Sequence, residues 1–158
     1  MAEIRKIISG GQTGADRAAF DFAIENGIEI GGFVPKNRAA EDGRISEKYT
    51  NLVETETENP EERTELNVIN SDATLIFSHG ELKSGSKLTK DFAEKHRKPF
   101  LHVDFSESAT KQSIEKTKNW LDSIACESLN VAGARASEDA TIYEKVKDFL
   151  SKLAIGNK

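Results

Sequence analysis

The sequence has a single cysteine, Cys126, so a disulfide framework is excluded. His79, His96 and His102 show no metal-ligand spacing, and with Cys126 read as part of a helix no metal site emerges. Surplus positive charge is also missing: 22 Lys and Arg stand against 27 Asp and Glu, giving a net charge of −5 and a pI near 5.3. Non-specific nucleic-acid binding draws on excess cation, and aromatic residues make up only 7% of the chain, so a DNA- or RNA-binding role is disfavoured. No apolar run approaches the length of a membrane span, and the opening MAEIRKIISG is too short and too polar for a secretory leader. There is no G-x-S-x-G elbow, no internal repeat, no low-complexity stretch and no interdomain linker. A length of 158 residues fits one domain over 1–158 that buries roughly two-thirds of its unfolded surface. These exclusions leave a soluble, cytoplasmic, single-domain protein.

What is present alternates between strand and helix. Residues 4–8 form a short apolar run closed by Ser9-Gly10-Gly11, a buried strand ending in a sharp turn. In ADRAAFDFAIEN, residues Ala15, Ala18, Ala19, Phe22 and Ala23 share one helical face, and Asn26-Gly27 ends the helix. A second strand covers 28–34 and stops at Pro35. Residues 36–58 are polar and charged, with at most a short strand at 51–54; such a segment is usually functional or mobile. Asn59-Pro60-Glu61-Glu62 is a helix start with an N-cap residue, Pro at the first position and carboxylates near the positive dipole end. Strands are expected at 73–78, 100–104 and 129–132, and helices at 60–71, 87–97, 111–125 and 140–153. Strands separated by helices of roughly ten to fifteen residues imply βαβ units. The expected fold is Rossmann-like α/β, a doubly wound, mainly parallel sheet of about five main strands flanked by helices.

In such sheets ligands bind beyond the carboxyl ends of the strands. The first strand there runs into Ser9-Gly10-Gly11-Gln12-Thr13-Gly14-Ala15-Asp16-Arg17. Glycines allow close backbone approach, and the following helix offers N–H groups and a positive dipole end, so the loop reads as a phosphate or oxyanion seat. A plain tight turn is the alternative; neither G-x-G-x-x-G nor a Walker A loop is present. The other carboxyl-edge segments carry Lys36, Arg38, Glu41, Asp42 and Arg44, then Arg63 and Asn67 one turn apart on a helix, then Ser84-Gly85-Ser86, then Arg135 and Ser137. Of seven arginines, Arg17, Arg38, Arg44, Arg63 and Arg135 fall in these segments of an acidic chain. Arginine suits bidentate contact with phosphate or carboxylate, so as a set they imply a local cationic pocket. Asp16, Glu41 and Asp42 fit best as groups that orient the neighbouring arginines.

The stretches SGGQTGADRAAFDFA, GGFVPKNRAAEDG, RTELNVINSDATLI, SGS before a helix and LNVAGARAS, in that order, resemble the molybdenum carrier family. That family belongs to a Rossmann-like group with the lysine-decarboxylase-like nucleotide-processing proteins and the DNA-processing protein DprA. The resemblance implies binding of the molybdenum cofactor (molybdopterin) or another small phosphorylated ligand, an acceptor molybdoenzyme, and a homo-oligomer. Gly10, Gly11, Gln12, Thr13, Gly14 and Arg17 would form the first wall of the site, and Lys36, Arg38, Glu41 and Asp42 the second. Arg63 and Asn67 would form a third, completed by Ser84, Gly85, Ser86, Arg135 and Ser137. Ser84-Gly85-Ser86 stands where the family more often has Gly-Gly-Thr, and Ala134 where proline is more usual. The alternative is a nucleotide-binding or nucleotide-processing, N-glycosidase-like protein. Relatives of that kind use a glutamate for an oxocarbenium-like transition state; Thr89 occupies the aligned position here.

Overall fold

A computed structural model describes residues 3–107 and 110–155. Six strands, β1 (Lys6–Ile8), β2 (Glu29–Val34), β5 (Leu52–Glu54), β6 (Ala73–Ser78), β7 (Phe100–Asp104) and β8 (Ser128–Gly133), form one sheet in the order β5-β2-β1-β8-β6-β7. Every pairing in it is parallel. The helices are α1 (Ala15–Glu25), α2 (Pro60–Ile69), α3 (Ser84–Lys95), α4 (Thr110–Ser123) and α5 (Ile142–Lys152). α5 packs on α1 and touches α4, while α2 packs on α3. This is the expected Rossmann-like α/β architecture, with β5 as a sixth, short edge strand.

β6 is buried along its whole length, as its unbroken apolar run requires for a strand covered on both faces. Phe77 of β6 meets Phe149 of α5 edge-on at 5.3 Å and stacks with Phe105 at 5.5 Å. Each fully buried Phe, Leu or Ile of this kind contributes about 1.5–3 kcal/mol by removing apolar surface from water. At the start of α2 the Asn59 side chain accepts from the Glu61 N–H at 3.0 Å, the cap that the Asn-Pro sequence predicts.

The order of strands carries one surprise. β8, the last in the chain, lies at the centre between β1 and β6, pairing Leu129 with both Ile7 and Ala73. Counted from β8 instead of β1, the strands β8, β1, β2 and β5 run outward one way, and β6 and β7 the other. The sheet then has a single reversal, between β8 and β6, which is where ligands collect in such folds.

Three local expectations need correction. The helix after β6 begins at Ser84, not 87, so the Ser-Gly-Ser segment is its first turn. Cys126 lies in the turn after α4 rather than within a helix; its thiol donates to the Ser128 carbonyl at 3.5 Å, and burial pushes its pKa up to about 12. Residues 36–58 are neither bare loop nor loosely held. They contain a 3-10 turn (Lys36–Arg38) and an antiparallel hairpin of β3 (Ala39–Ala40) and β4 (Gly43–Arg44). Ile45 and Tyr49 from this segment are buried in the core, Tyr49 against the Phe20 ring at 5.4 Å.

Candidate functional site

A cleft of about 580 Å3 opens at the carboxyl edge of the sheet. Its floor is Gly10 after β1 and Asn130, Val131, Ala132 and Gly133 of β8. α2 supplies one wall through Pro60, Arg63, Thr64 and Asn67, and α3 the facing wall through Ser84, Gly85, Ser86, Lys87, Leu88 and Thr89. Arg135 and Glu138 stand at the mouth. The cleft therefore sits at the β8/β6 reversal.

Arg63 dominates its electrostatics. The residue is only 8% exposed, and its guanidinium lies against the Gly10 backbone: a β-carbon at position 10 would fall 1.8 Å from Nη1. Its Nε–H donates to the Pro60 carbonyl at 3.1 Å, and Nη1 is 3.5 Å from Oδ2 of Asp16. Asp16 is 7% exposed; burial raises its pKa, against the opposing pull of Arg63 and the Gln12 N–H. Burial lowers the Arg63 pKa in turn. The remaining guanidinium N–H groups have no hydrogen bond among the described residues, in a concavity where a planar fork matches a phosphate or carboxylate.

The glycine loop commits several of its N–H groups internally, while those of Gly10, Gly11 and Gly14 find no partner among the described residues. Gln12 N–H is taken by Asp16 at 3.1 Å, Thr13 N–H by the Gln12 side chain at 3.0 Å, Ala15 N–H by the Ala134 carbonyl at 3.1 Å and Arg17 N–H by the Gln12 carbonyl at 3.1 Å. Gly14 at φ 80 allows this closeness, since a β-carbon there would meet the Ala134 oxygen at 2.4 Å. The start of α3 offers further donors. The first turn has no side-chain cap, and the Ser84 and Gly85 N–H groups find no partner among the described residues. Donors available to an anion thus include the first turn of α3 and the Gly10 N–H, with Arg63 opposite α3 and Lys87 and Arg135 nearby.

Several expected site residues form a clasp beside the cleft. Arg17 donates from both terminal nitrogens to Asp42 at 2.9 Å and from Nε to the Gly11 carbonyl at 2.7 Å. Glu41 accepts from the Thr13 hydroxyl and from the Ser137 hydroxyl at 2.5 Å, joining the hairpin to the loops after β1 and β8. These hydrogen bonds hold the Glu41 pKa down despite some burial, and the Arg17 hydrogen bonds do the same for Asp42. Arg38 is buried and donates to the carbonyls of Ile45, Ser46 and Tyr49 at 2.7–3.0 Å. Lys36 is exposed, and its N–H bonds to the Thr57 carbonyl at 2.9 Å. Gly11, Thr13, Gly14, Arg17, Lys36, Arg38, Glu41, Asp42 and Ser137 do not line the cleft; Gly10, Gln12, Arg63, Asn67, Ser84, Gly85, Ser86 and Arg135 do. Asn67 spends its amide on β2, accepting from the Phe33 N–H at 2.7 Å and donating to the Phe33 carbonyl at 3.0 Å. Arg135 donates to Glu138 at 3.2 Å.

A smaller hollow of about 320 Å3 adjoins the cleft, with Ser86 and Glu138 lining both. Here His79, just after β6, is hydrogen-bonded through Nδ1 to Asp139. Asp139 also accepts from Thr141, at 2.9 Å from N–H and 2.8 Å from the hydroxyl. Sequence reasoning missed this pair because sixty positions separate its members; only the adjacency of β6 and β8 brings them together.

A parallel sheet with one reversal and an arginine-walled cleft at that point defines a Rossmann-like α/β domain. The chain belongs to the circularly permutated YpsA SLOG family, cpYpsA, whose profile matches residues 7–154. The permutation in that description agrees with the central place of β8. The chain is similar to a solved structure from Syntrophus aciditrophicus SB, named "Putative molybdenum carrier protein", at 49% identity with a TM-score of 0.94 over 96% of each chain. No curated protein matches it.

Proposed function

We propose that the protein binds a small phosphorylated ligand of the molybdopterin type in the cleft between α2 and α3 and serves as its carrier. The observation that carries this reading is Arg63: a nearly buried guanidinium on the α2 wall with one counter-charge at 3.5 Å and terminal N–H groups that make no hydrogen bond among the described residues. The unpartnered first turn of α3 across the cleft adds backbone donors to the same seat. The solved relative's name supports a carrier, whose acceptor would be a molybdoenzyme. Binding without turnover is further supported by Thr89, which lines the cleft where glycosidase-like relatives place a glutamate and ties its hydroxyl to the Gly85 carbonyl at 2.9 Å. Glu41 and Asp42 do not line the cleft and are held by Thr13, Ser137 and Arg17.

A nucleotide is the second reading, since the apolar lining residues Pro60, Leu88 and Val131 suit a heterocycle of either kind. Mass spectrometry of small molecules released from the purified protein, with molybdenum analysis of the same sample, separates the two. A pterin with molybdenum is the expected result; a nucleotide alone supports the second reading. Arg63→Ala is expected to strip the ligand in either case, and retention of ligand by that variant overturns the cleft as its seat.

A further inference from the structure

The hollow beside the cleft has no arginine, and its charged lining is mainly carboxylate. Glu81, Glu138 and Asp139 line it, with Lys83 as the lone lysine. Asp139 is fixed by Thr141, and its carboxylate faces His79 Nδ1, so Nδ1 carries the ring proton. His79 lines the hollow, and no described residue bonds to its Nε2. The side chains of Lys83 and Glu81 likewise make no hydrogen bond or ion pair among the described residues.

We propose that this hollow is a subsite for hydroxyl groups on the part of the ligand next to its phosphate, so that the protein selects a sugar phosphate unit. A hydroxyl both donates and accepts: it can donate to His79 Nε2 or Glu81 and accept from Lys83. A second phosphate would face three carboxylates, and an ammonium group would face Lys83. The proposal rests on the Arg63 cleft as the phosphate seat, because Ser86 and Glu138 border both spaces and a sugar joined to that phosphate enters the hollow. Bare molybdopterin has no sugar hydroxyl; a nucleotide-extended form of the cofactor does, and so does a free nucleotide.

The test is calorimetric titration of the protein with inorganic phosphate, ribose 5-phosphate and phosphoethanolamine. Ribose 5-phosphate is expected to bind about tenfold more tightly than inorganic phosphate, the worth of one or two added hydrogen bonds. His79→Ala and Lys83→Ala are each expected to bring ribose 5-phosphate down towards the affinity of inorganic phosphate. Lys83 makes no internal side-chain bond among the described residues, so its variant keeps the test open should His79→Ala disturb folding. Equal binding of phosphate and ribose 5-phosphate overturns the subsite and leaves the Arg63 seat standing. Tighter binding of phosphoethanolamine than of ribose 5-phosphate overturns it too, as an ammonium site. Failure of all three probes, or their unchanged binding to Arg63→Ala, overturns the seat and the subsite together.

Discussion

At Gly10 the absence of one methyl group decides where Arg63 lies. Its backbone is not in the left-handed region, so Gly10→Ala adds bulk without backbone strain and pushes a flexible guanidinium off the cleft floor. The expected outcome is loss of phosphate binding by tenfold or so, about 1.4 kcal/mol, with a lowered thermal midpoint because buried Asp16 loses its partner, checked by calorimetry and a melting curve. Asp16 tests the same seat from the other side. As the nearest counter-charge it competes with any bound anion, so Asp16→Asn is expected to bind phosphate more tightly than the parent. The same change leaves Arg63 without a buried partner, so the unliganded variant is expected to melt earlier. Weaker phosphate binding by that variant would show Asp16 to be a positioning group and not a competitor.

The hairpin segment is held as an element by charge meeting backbone. Arg38 satisfies three carbonyls of a polar segment that cannot supply its own ladder, and its planar fork cannot be replaced by a lysine ammonium. Arg38→Ala and Arg38→Lys are both expected to destabilise by about 3 kcal/mol, with faster amide exchange across residues 36–55 than elsewhere. Glu41 adds a pH dependence. Its folded pKa lies below the ordinary 4.5, so its contribution is complete above that value and is lost as the pH falls through the lowered one. Protection of the Gly43 and Arg44 amides, relative to their intrinsic exchange rates at each pH, is therefore expected to fall in acid, and Glu41→Gln to flatten the change. Asp16, with its raised pKa, acts in the opposite sense, its contribution lost as pH rises. Element types were legible where periodicity and punctuation agreed: β6 and β7 fall on the expected residues, and Asn59-Pro60 starts α2. The hairpin was not, because its stability comes from Arg38 and from burial of Ile45 and Tyr49, which are tertiary effects. The site was legible as a set of segments, but an arginine bonded to carbonyls and one facing a cleft look alike in sequence. Only the fold separates Arg38 from Arg63.

For the whole molecule the decisive feature is that β1 and β6 never touch; β8 joins them. A chain ending at residue 125 leaves two half-sheets, β5-β2-β1 and β6-β7, with unpaired inner edges. It is expected to give no cooperative melting transition. A rearranged chain that begins with residues 126–155 and continues through a Gly/Ser linker into 3–125 keeps every strand pair, and is expected to regain both the transition and phosphate binding. The same feature sets an order in time. The strand that floors the cleft, and Arg135 at its mouth, are the last parts of the site to leave the ribosome. The cleft is therefore complete only once every other strand of the sheet has been made, and ligand capture follows the assembly of the whole sheet.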